Sequence, residues 1–363
     1  MVNERNLLIW FSHVGNINYD VILNLKQYFG NLEEILLANE KHIYEALSNN
    51  RIIADKIIKN RSEKIIFSII ESINNKDFHI ITINDKEYPK KLCNIYRPPY
   101  VLYCKGRIIE DIPMIAVVGS RKASAYGRWA AYNFSKELAE WGVSIVSGMA
   151  LGIDAEGHKG AIAGAGTTVA VLGCGINTCY PPIHISLMDK IIERGTVLSE
   201  YPPNVLPLKH HFPARNRIIS GLSDGIIVVE AAEKSGSLIT VEHGLEQGKE
   251  IFALPGNINS NYSSGTNKLI KDGAKILLTV EDVLEEIRIK FPNIKKVANQ
   301  KDYGELSKNE LMVYNIIKGQ IMHFDIVSRK SNLNINELKA ILKVLEIKGY
   351  IKHLSGNMFT VIV

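Results

Sequence analysis

Between residues 113 and 290 the chain repeats one pattern. A short unbroken apolar run is closed by a small or polar residue, then followed by a longer stretch of mixed character. The runs are Met114–Val118, Val143–Val146, Val169–Leu172, Thr196–Leu198, Ile226–Val229 and Ile251–Leu254, with a shorter one at Ala274–Leu278. Unbroken apolar strands with helices between them predict a parallel sheet buried on both faces, an extended Rossmann-like α/β domain. Right-handed crossovers place the loop after each strand on one edge of that sheet. That edge is where open α/β sheets hold their ligands.

The flanks read differently. Apolar residues at three- and four-residue steps, as in Ile22, Leu25 and Phe29, predict helices at Val21–Phe29, Leu32–Leu37, Ile43–Leu47 and Ile52–Ile73. Together they predict a small helical domain over 1–75, of SAM or helix-hairpin-helix type. The segment Ser12–Ile17 fits the turn of a helix-hairpin-helix, a phosphate-gripping module. It fits a plain helix–helix connection too, because Gly15 is its one glycine. Ile80–Ile83, Tyr88-Pro89 and Pro98–Tyr103 predict an extended connecting arm over 76–112. A polar stretch at 291–304 reads as a linker. Beyond it, Ser307 and Glu310 have capping-box spacing. Two further helices, Phe324–Ser331 and one from Asn334 through Ile347, precede two strands around Gly356. Over 305–363 this order predicts a winged helix.

Composition narrows the class. A chain 46% hydrophobic and 22% charged reads as an ordinary globular protein. No apolar run is long enough to span a membrane, and Leu7–Phe11 is too short for the core of a secretion signal, so a cytoplasmic protein is expected. The net charge of +5 permits a polyanionic partner without demanding one. The four cysteines, Cys93, Cys104, Cys174 and Cys179, form no C-x-x-C pair and match no zinc spacing. Reduced, unliganded thiols are expected.

The loops at the strand ends carry the candidate chemistry. The first strand runs into Gly119, Ser120, Arg121 and Lys122, and the second into Ser147 and Gly148. After the 196–198 strand come Lys209, Phe212, Arg215, Asn216 and Arg217. After the 226–229 strand come Ser235, Gly236, Ser237 and Thr240. Glycines let backbone N–H groups approach a ligand, helix N-termini favour anions, and the arginines and lysines add full charges. The combination predicts phosphate binding along one sheet edge.

Familiar phosphate chemistries do not fit. The stretch Gly119–Gly127 is not G-x-G-x-x-G, and no P-loop spacing occurs. Neither G-x-S-x-G nor H-E-x-x-H is present, so no standard hydrolase is indicated. Asp154 and His158, four apart on a predicted helix, have the spacing of a metal pair. They equally fit a helix cap and a histidine packed on the sheet. No metal, cofactor or catalytic group is expected.

These same residues resemble the DNA-processing protein A (DprA/Smf) family. The resemblance rests on Gly119-Ser-Arg121, Ser147-Gly148 with Gly152-Ile-Asp154, His211–Ile219 with Gly221-Leu222, Ser235–Thr240 and Gly265–Ile270, in that order. Tyr88-Pro89, Pro98-Pro99 and the winged-helix end extend it over nearly the whole chain. The resemblance implies a protein that binds single-stranded DNA and forms a homodimer through its Rossmann-like domain. It also implies loading of the recombinase RecA during natural transformation, without established catalysis. It makes Arg121 a phosphate contact, puts Lys209 in the same pocket and makes Phe212 a base-stacking platform. One departure stands out. Many relatives carry a basic residue just after the Tyr-Pro pair, where this chain has Tyr180-Pro181-Pro182. Either one phosphate contact is missing or His184 partly replaces it.

Two other readings remain open at this point. Glu230, Glu233 and Glu242 suit a nucleotide-binding or nucleoside-monophosphate-hydrolysing Rossmann-like protein, although the Pro-Gly-Gly and Gly-Thr-x-x-Glu stretches of such enzymes are absent. Lys339, Lys343, Lys348 and Lys352 suit either a DNA-reading helix and wing or a solvated face.

Overall fold

The protein is described by a computed structural model over residues 2–15, 17–48, 50–74, 77–108, 111–296, 306–318, 320–354 and 356–361. Most of the expected linker, from 297 onward, and Asn16 of the expected hairpin turn lie outside the described residues. Two compact units emerge, 1–297 and 298–363.

The first unit opens with helices α1 (Glu4–Val14), α2 (Tyr19–Phe29), α3 (Glu40–Ala46), α4 (Arg51–Asn60) and α5 (Glu63–Asn74), followed by strands β1 (His79–Thr82) and β2 (Val101–Gly106). From β3 (Met114–Val118) the chain alternates. It runs through α6 (Ala125–Glu140), β4 (Ser144–Ser147), α7 (Ile153–Ala163), β5 (Thr168–Val171), α8 (Ile185–Arg194) and β6 (Thr196–Ser199). It continues through α9 (His211–Leu222), β7 (Gly225–Val228), α10 (Leu238–Glu246), β8 (Glu250–Ala253), α11 (Ser264–Lys271), β9 (Lys275–Ile276) and α12 (Glu281–Lys290).

Among the described residues, nine strands form one sheet in the order β1-β2-β6-β5-β4-β3-β7-β8-β9. The strands from β6 to β9 in that order are mutually parallel, as their unbroken apolar runs predict. Helices cover both faces. Ala130 and Leu138 of α6 and Val283 of α12 pack on one; Ile218 and Ile219 of α9 and Val241 of α10 pack on the other. The sheet is wound in two directions from β3, with β4 on one side and β7 on the other. The crevice at this reversal lies outside the ends of β3, β4 and β7.

Three local differences from expectation have clear causes. The stretch expected as a free arm contributes β1 and β2, which pair antiparallel with each other and with β6. Val101–Cys104 are fully covered there, so a run that sequence leaves ambiguous becomes a core strand. Helix α1 escapes the periodicity test because five successive residues, Leu7–Phe11, are all buried. The helix expected over 52–73 is broken at Arg61, whose guanidinium turns back to the Ile35 and Ala38 carbonyls. The N-terminal helices share a continuous core with the sheet; Ser12 on α1 lies 2.7 Å from the Tyr103 hydroxyl on β2. The outer edge of β1 is clipped. Arg5 donates to the Ile80 carbonyl, Asp85 accepts from the Thr82 N–H, and Arg5 and Asp85 pair with each other.

The second unit is a winged helix: α13 (Lys308–Ile317), β10 (Met322–His323), α14 (Phe324–Ser331), α15 (Ile335–Ile347), β11 (Ile351–Leu354) and β12 (Met358–Val361). Its strands run in the order β10-β12-β11 around a core that includes Val313, Val327, Leu338, Leu342 and Phe359. The expected capping box forms, with Ser307 and Glu310 each accepting the other's backbone N–H. No helix among the described residues is long and apolar enough to cross a membrane.

One buried group sets a pH dependence. His158 on α7 is fully covered, with Nδ1 2.7 Å from the Thr168 hydroxyl, which itself donates to the Ile145 carbonyl. Nδ1 therefore carries the proton, and Nε2 is buried without a partner. Burial, reinforced by the charges of His184 and Arg215, pushes its pKa down to about 3. Below its unfolded value of about 6.5 the unfolded chain takes up a proton that the folded chain refuses. Stability is thus full above that pH and falls as pH drops toward the folded value. Denaturant titrations between about pH 6.5 and pH 5 should show unfolding free energy falling by up to ~1.4 kcal/mol per pH unit from this group. His158→Gln should flatten that slope.

Candidate functional site

A cavity of about 610 Å³ opens at the sheet's reversal point. Gly119, Ser120, Arg121 and Lys122 line it from the β3–α6 loop. Lys209, Phe212, Arg215 and Asn216 approach from the β6–α9 loop and α9, and Ser235, Gly236, Ser237 and Thr240 from the β7–α10 loop and α10. Chain segments far apart in sequence meet there because each follows the carboxyl end of a strand. Ser147, Gly148 and Arg217, expected with them, do not line the cavity.

The aromatic floor is built by close packing. The ring of Phe212 lies so near Gly173 that a Cβ there would stand 2.8 Å from it. Tyr180 packs on the same ring at 5.5 Å between centroids, tilted by 38°. The Arg121 guanidinium lies over the Phe212 ring, 5.4 Å from its centroid. Cation–π contacts of this kind are worth about 0.5–1 kcal/mol at exposed sites. Tyr180 was not among the expected site residues; its signal was its place in the loop after β5, beside Pro181.

Below the floor lies a buried charge. Arg215 is 4% exposed, and its guanidinium donates to the Gly148 carbonyl at 3.1 Å and to the Val171 carbonyl. The expectation that Arg215 meets phosphate is therefore corrected: its donors hold the ends of β4 and β5. A Cβ on Gly148 would lie 2.4 Å from this guanidinium, so that glycine serves the arginine rather than a ligand. The nearby carboxylate of Asp154 accepts from the Gly148 and Ala150 N–H groups at 3.1 and 3.3 Å. Burial raises its pKa, against the lowering pull of Arg215 and those N–H groups. Burial likewise lowers the pKa of Arg215, with Asp154 opposing.

Other expectations are corrected by similar accounting. Arg217 forms a two-pronged pair with Glu200, at 3.1 and 2.6 Å, and is neutralised there. The Ser147 hydroxyl is buried and donates to the Val117 carbonyl. The Ser120 N–H donates to the Glu230 carbonyl at 2.7 Å, so this amide is fastened to the segment just after β7 rather than offered to an anion. His184 is buried with Nδ1 2.9 Å from the Met149 carbonyl and takes no place beside Pro182 in the cavity. Asp154 and His158 face different partners and form no metal pair. Glu230 is buried, its carboxylate held by the Ser124 N–H and hydroxyl. The cations left to face the cavity are Arg121, Lys122 and Lys209, which among the described residues form no hydrogen bond or ion pair through their side-chain nitrogens. On the winged helix, Lys343 pairs with Glu346 and Lys348 with Glu310.

A Rossmann-like sheet with a basic, aromatic-floored cleft, joined in sequence to a winged helix, defines the class. The family model described as DNA recombination-mediator protein A matches residues 79–288, and that of the DprA winged helix domain matches 299–357. The chain belongs to the DNA recombination-mediator protein A (DprA/Smf) family. It is 42% identical to DNA processing protein DprA of Bacillus subtilis, over 60% of this chain and 74% of that protein. The X-ray structure of DNA processing protein A from Streptococcus pneumoniae superposes with a TM-score of 0.69 at 35% identity, covering 78% of this chain and 99% of that one. DNA processing protein A from Helicobacter pylori, solved for its single-stranded DNA binding mode, superposes at 0.53 with 31% identity, covering 59% and 97%.

The division between buried and exposed arginine is measurable. Arg215→Ala should lower the free energy of unfolding by about 3 kcal/mol, because two strand-end carbonyls lose their donor and the buried Asp154 carboxylate loses its neighbouring positive charge. Arg121→Ala should change it by less than about 0.5 kcal/mol. Chemical denaturation of both variants checks the contrast.

Proposed function

We propose that this chain binds single-stranded DNA in the cleft at the sheet's reversal point and acts there as a recombination mediator. The observation that carries the reading is the grouping of Arg121, Lys122 and Lys209 around the Phe212–Tyr180 pair, with no carboxylate paired to any of the three cations among the described residues. An aromatic face accepts any base, and unpaired cations track the phosphates on either side. On binding, the Arg121 guanidinium exchanges the Phe212 ring for a phosphate. That trade favours binding because a charge-assisted hydrogen bond is stronger than an exposed cation–π contact. The freed ring face then takes a base.

Family membership supports the remaining parts of the reading: RecA loading on incoming strands during DNA uptake, a homodimer through the Rossmann-like domain, a cytoplasmic setting and a non-enzymatic role. Glu230 is tied to Ser124, which speaks against its use as a catalytic acid in nucleotide hydrolysis.

Fluorescence anisotropy with oligothymidylate across a salt series tests the proposal. Arg121→Ala and Lys209→Ala should weaken binding to every sequence alike, and each should make the log–log salt slope shallower by about 0.7. Reduced RecA filament formation on the same strands should follow. Parental affinity in both variants sinks the assignment of this cleft.

A further inference from the structure

A second aromatic surface lies just beyond the cleft, and neither the family residues nor the proposed site uses it. On α6, Tyr126 and Trp129 are 50% and 61% exposed, and their rings lie nearly parallel, 21° apart with centroids 6.2 Å apart. Large aromatic side chains this open form no part of the core. Lys122 in the preceding loop is also exposed, as is Arg128, which falls between the two rings in sequence and not on their shared face. Arg128 is steadied by donating through Nε to the Ala123 carbonyl at 3.2 Å.

The surface is continuous with the cleft. Residues 119–122 of the β3–α6 loop line the cleft, while Ser124 and Tyr126 line a second cavity of about 480 Å³. One loop therefore separates the two spaces. The remaining walls of the second cavity are Pro255, Gly256, Asn257, Ser260 and Ser263, with Glu230 as its one acid. That acid is masked by Ser124, so its charge is already met by hydrogen bonds. The result is an aromatic track leading from the cationic edge of the cleft at Lys122 over the start of α6.

We infer that Tyr126 and Trp129 form a second base-stacking platform, and that a single strand leaving the cleft past Lys122 runs along α6. This rests on the proposed function and extends its footprint. A cation at the cleft edge followed by two open rings suits a nucleic-acid strand, in which phosphates and bases alternate. A protein-binding patch tends instead to be depleted in lysine at its centre.

The test uses the full chain and oligothymidylates of about four and about twelve nucleotides, one to fill the cleft and one to overrun it. Of the three tryptophans, Trp10 is fully buried and Arg288 lies over Trp141, which leaves Trp129 as the exposed reporter. The longer strand should quench tryptophan fluorescence in the parent and much less in Trp129→Phe. Tyr126→Ala with Trp129→Ala should weaken the longer strand at least about fivefold and leave the shorter unchanged. Trp129→Phe should restore most of that loss. Equal affinity of the double variant and the parent for the longer strand, or no quenching, overturns the inference. So does a change in sedimentation mass with unchanged DNA affinity, which would make the pair a protein contact. If the parent binds neither length, or Arg121→Ala leaves both unaffected, the cleft reading fails instead.

Discussion

The site depends on one buried guanidinium. Arg215 reaches up from α9 and ties the carbonyls at the ends of β4 and β5 together, with Asp154 on α7 as counter-charge. Phe212 sits three residues earlier on the same helix, one turn from the anchor and on the same face. Fixing Arg215 thus fixes the ring, and the ring in turn needs Gly173 to be bare. A charge almost wholly buried sets the geometry of those that are open. Burying it carries a desolvation cost, offset only because its hydrogen-bond partners are already in place when the sheet forms.

The glycines and serines of the strand-end loops take on a different meaning in this light. They invite comparison with loops that cradle phosphates through backbone N–H groups. Here Ser120 donates to Glu230, Gly148 and Ala150 donate to Asp154, and Ser124 donates to the Glu230 carboxylate. These N–H groups are occupied in holding loop to loop, and the cations that face the cleft are the long side chains of Arg121, Lys122 and Lys209. Side chains on open loops follow an irregular polymer better than a rigid backbone nest fitted to one pyrophosphate.

Much of this was readable in the sequence. Unbroken apolar runs identified the parallel strands, and the small residues after them identified the edge; twelve of the fifteen expected site residues line one cavity. The failures share a cause. Arg215, Arg217 and Ser147 are polar residues in the right loops, but whether a polar side chain faces a ligand or a backbone carbonyl depends on partners distant in the chain. Gly148 and Val171 decide Arg215, Glu200 decides Arg217 and Val117 decides Ser147, and none of these is a sequence neighbour of the side chain it holds. Helix α1 and the first four residues of β2 are hard to read because an unbroken buried run carries no periodicity, and β1, half of it open, is too short to show one.

The clip on β1 has a consequence for the sheet as a whole. An uncapped outer strand offers a row of free amide groups on which another chain can pair. Arg5 and Asp85 occupy two successive outward-facing groups of β1, at Ile80 and Thr82, and lock together across them. At the opposite margin β9 is only two residues long, too short a template for a foreign strand. Among the described residues, neither margin of the nine-stranded sheet thus offers a long free edge on which another chain could polymerise.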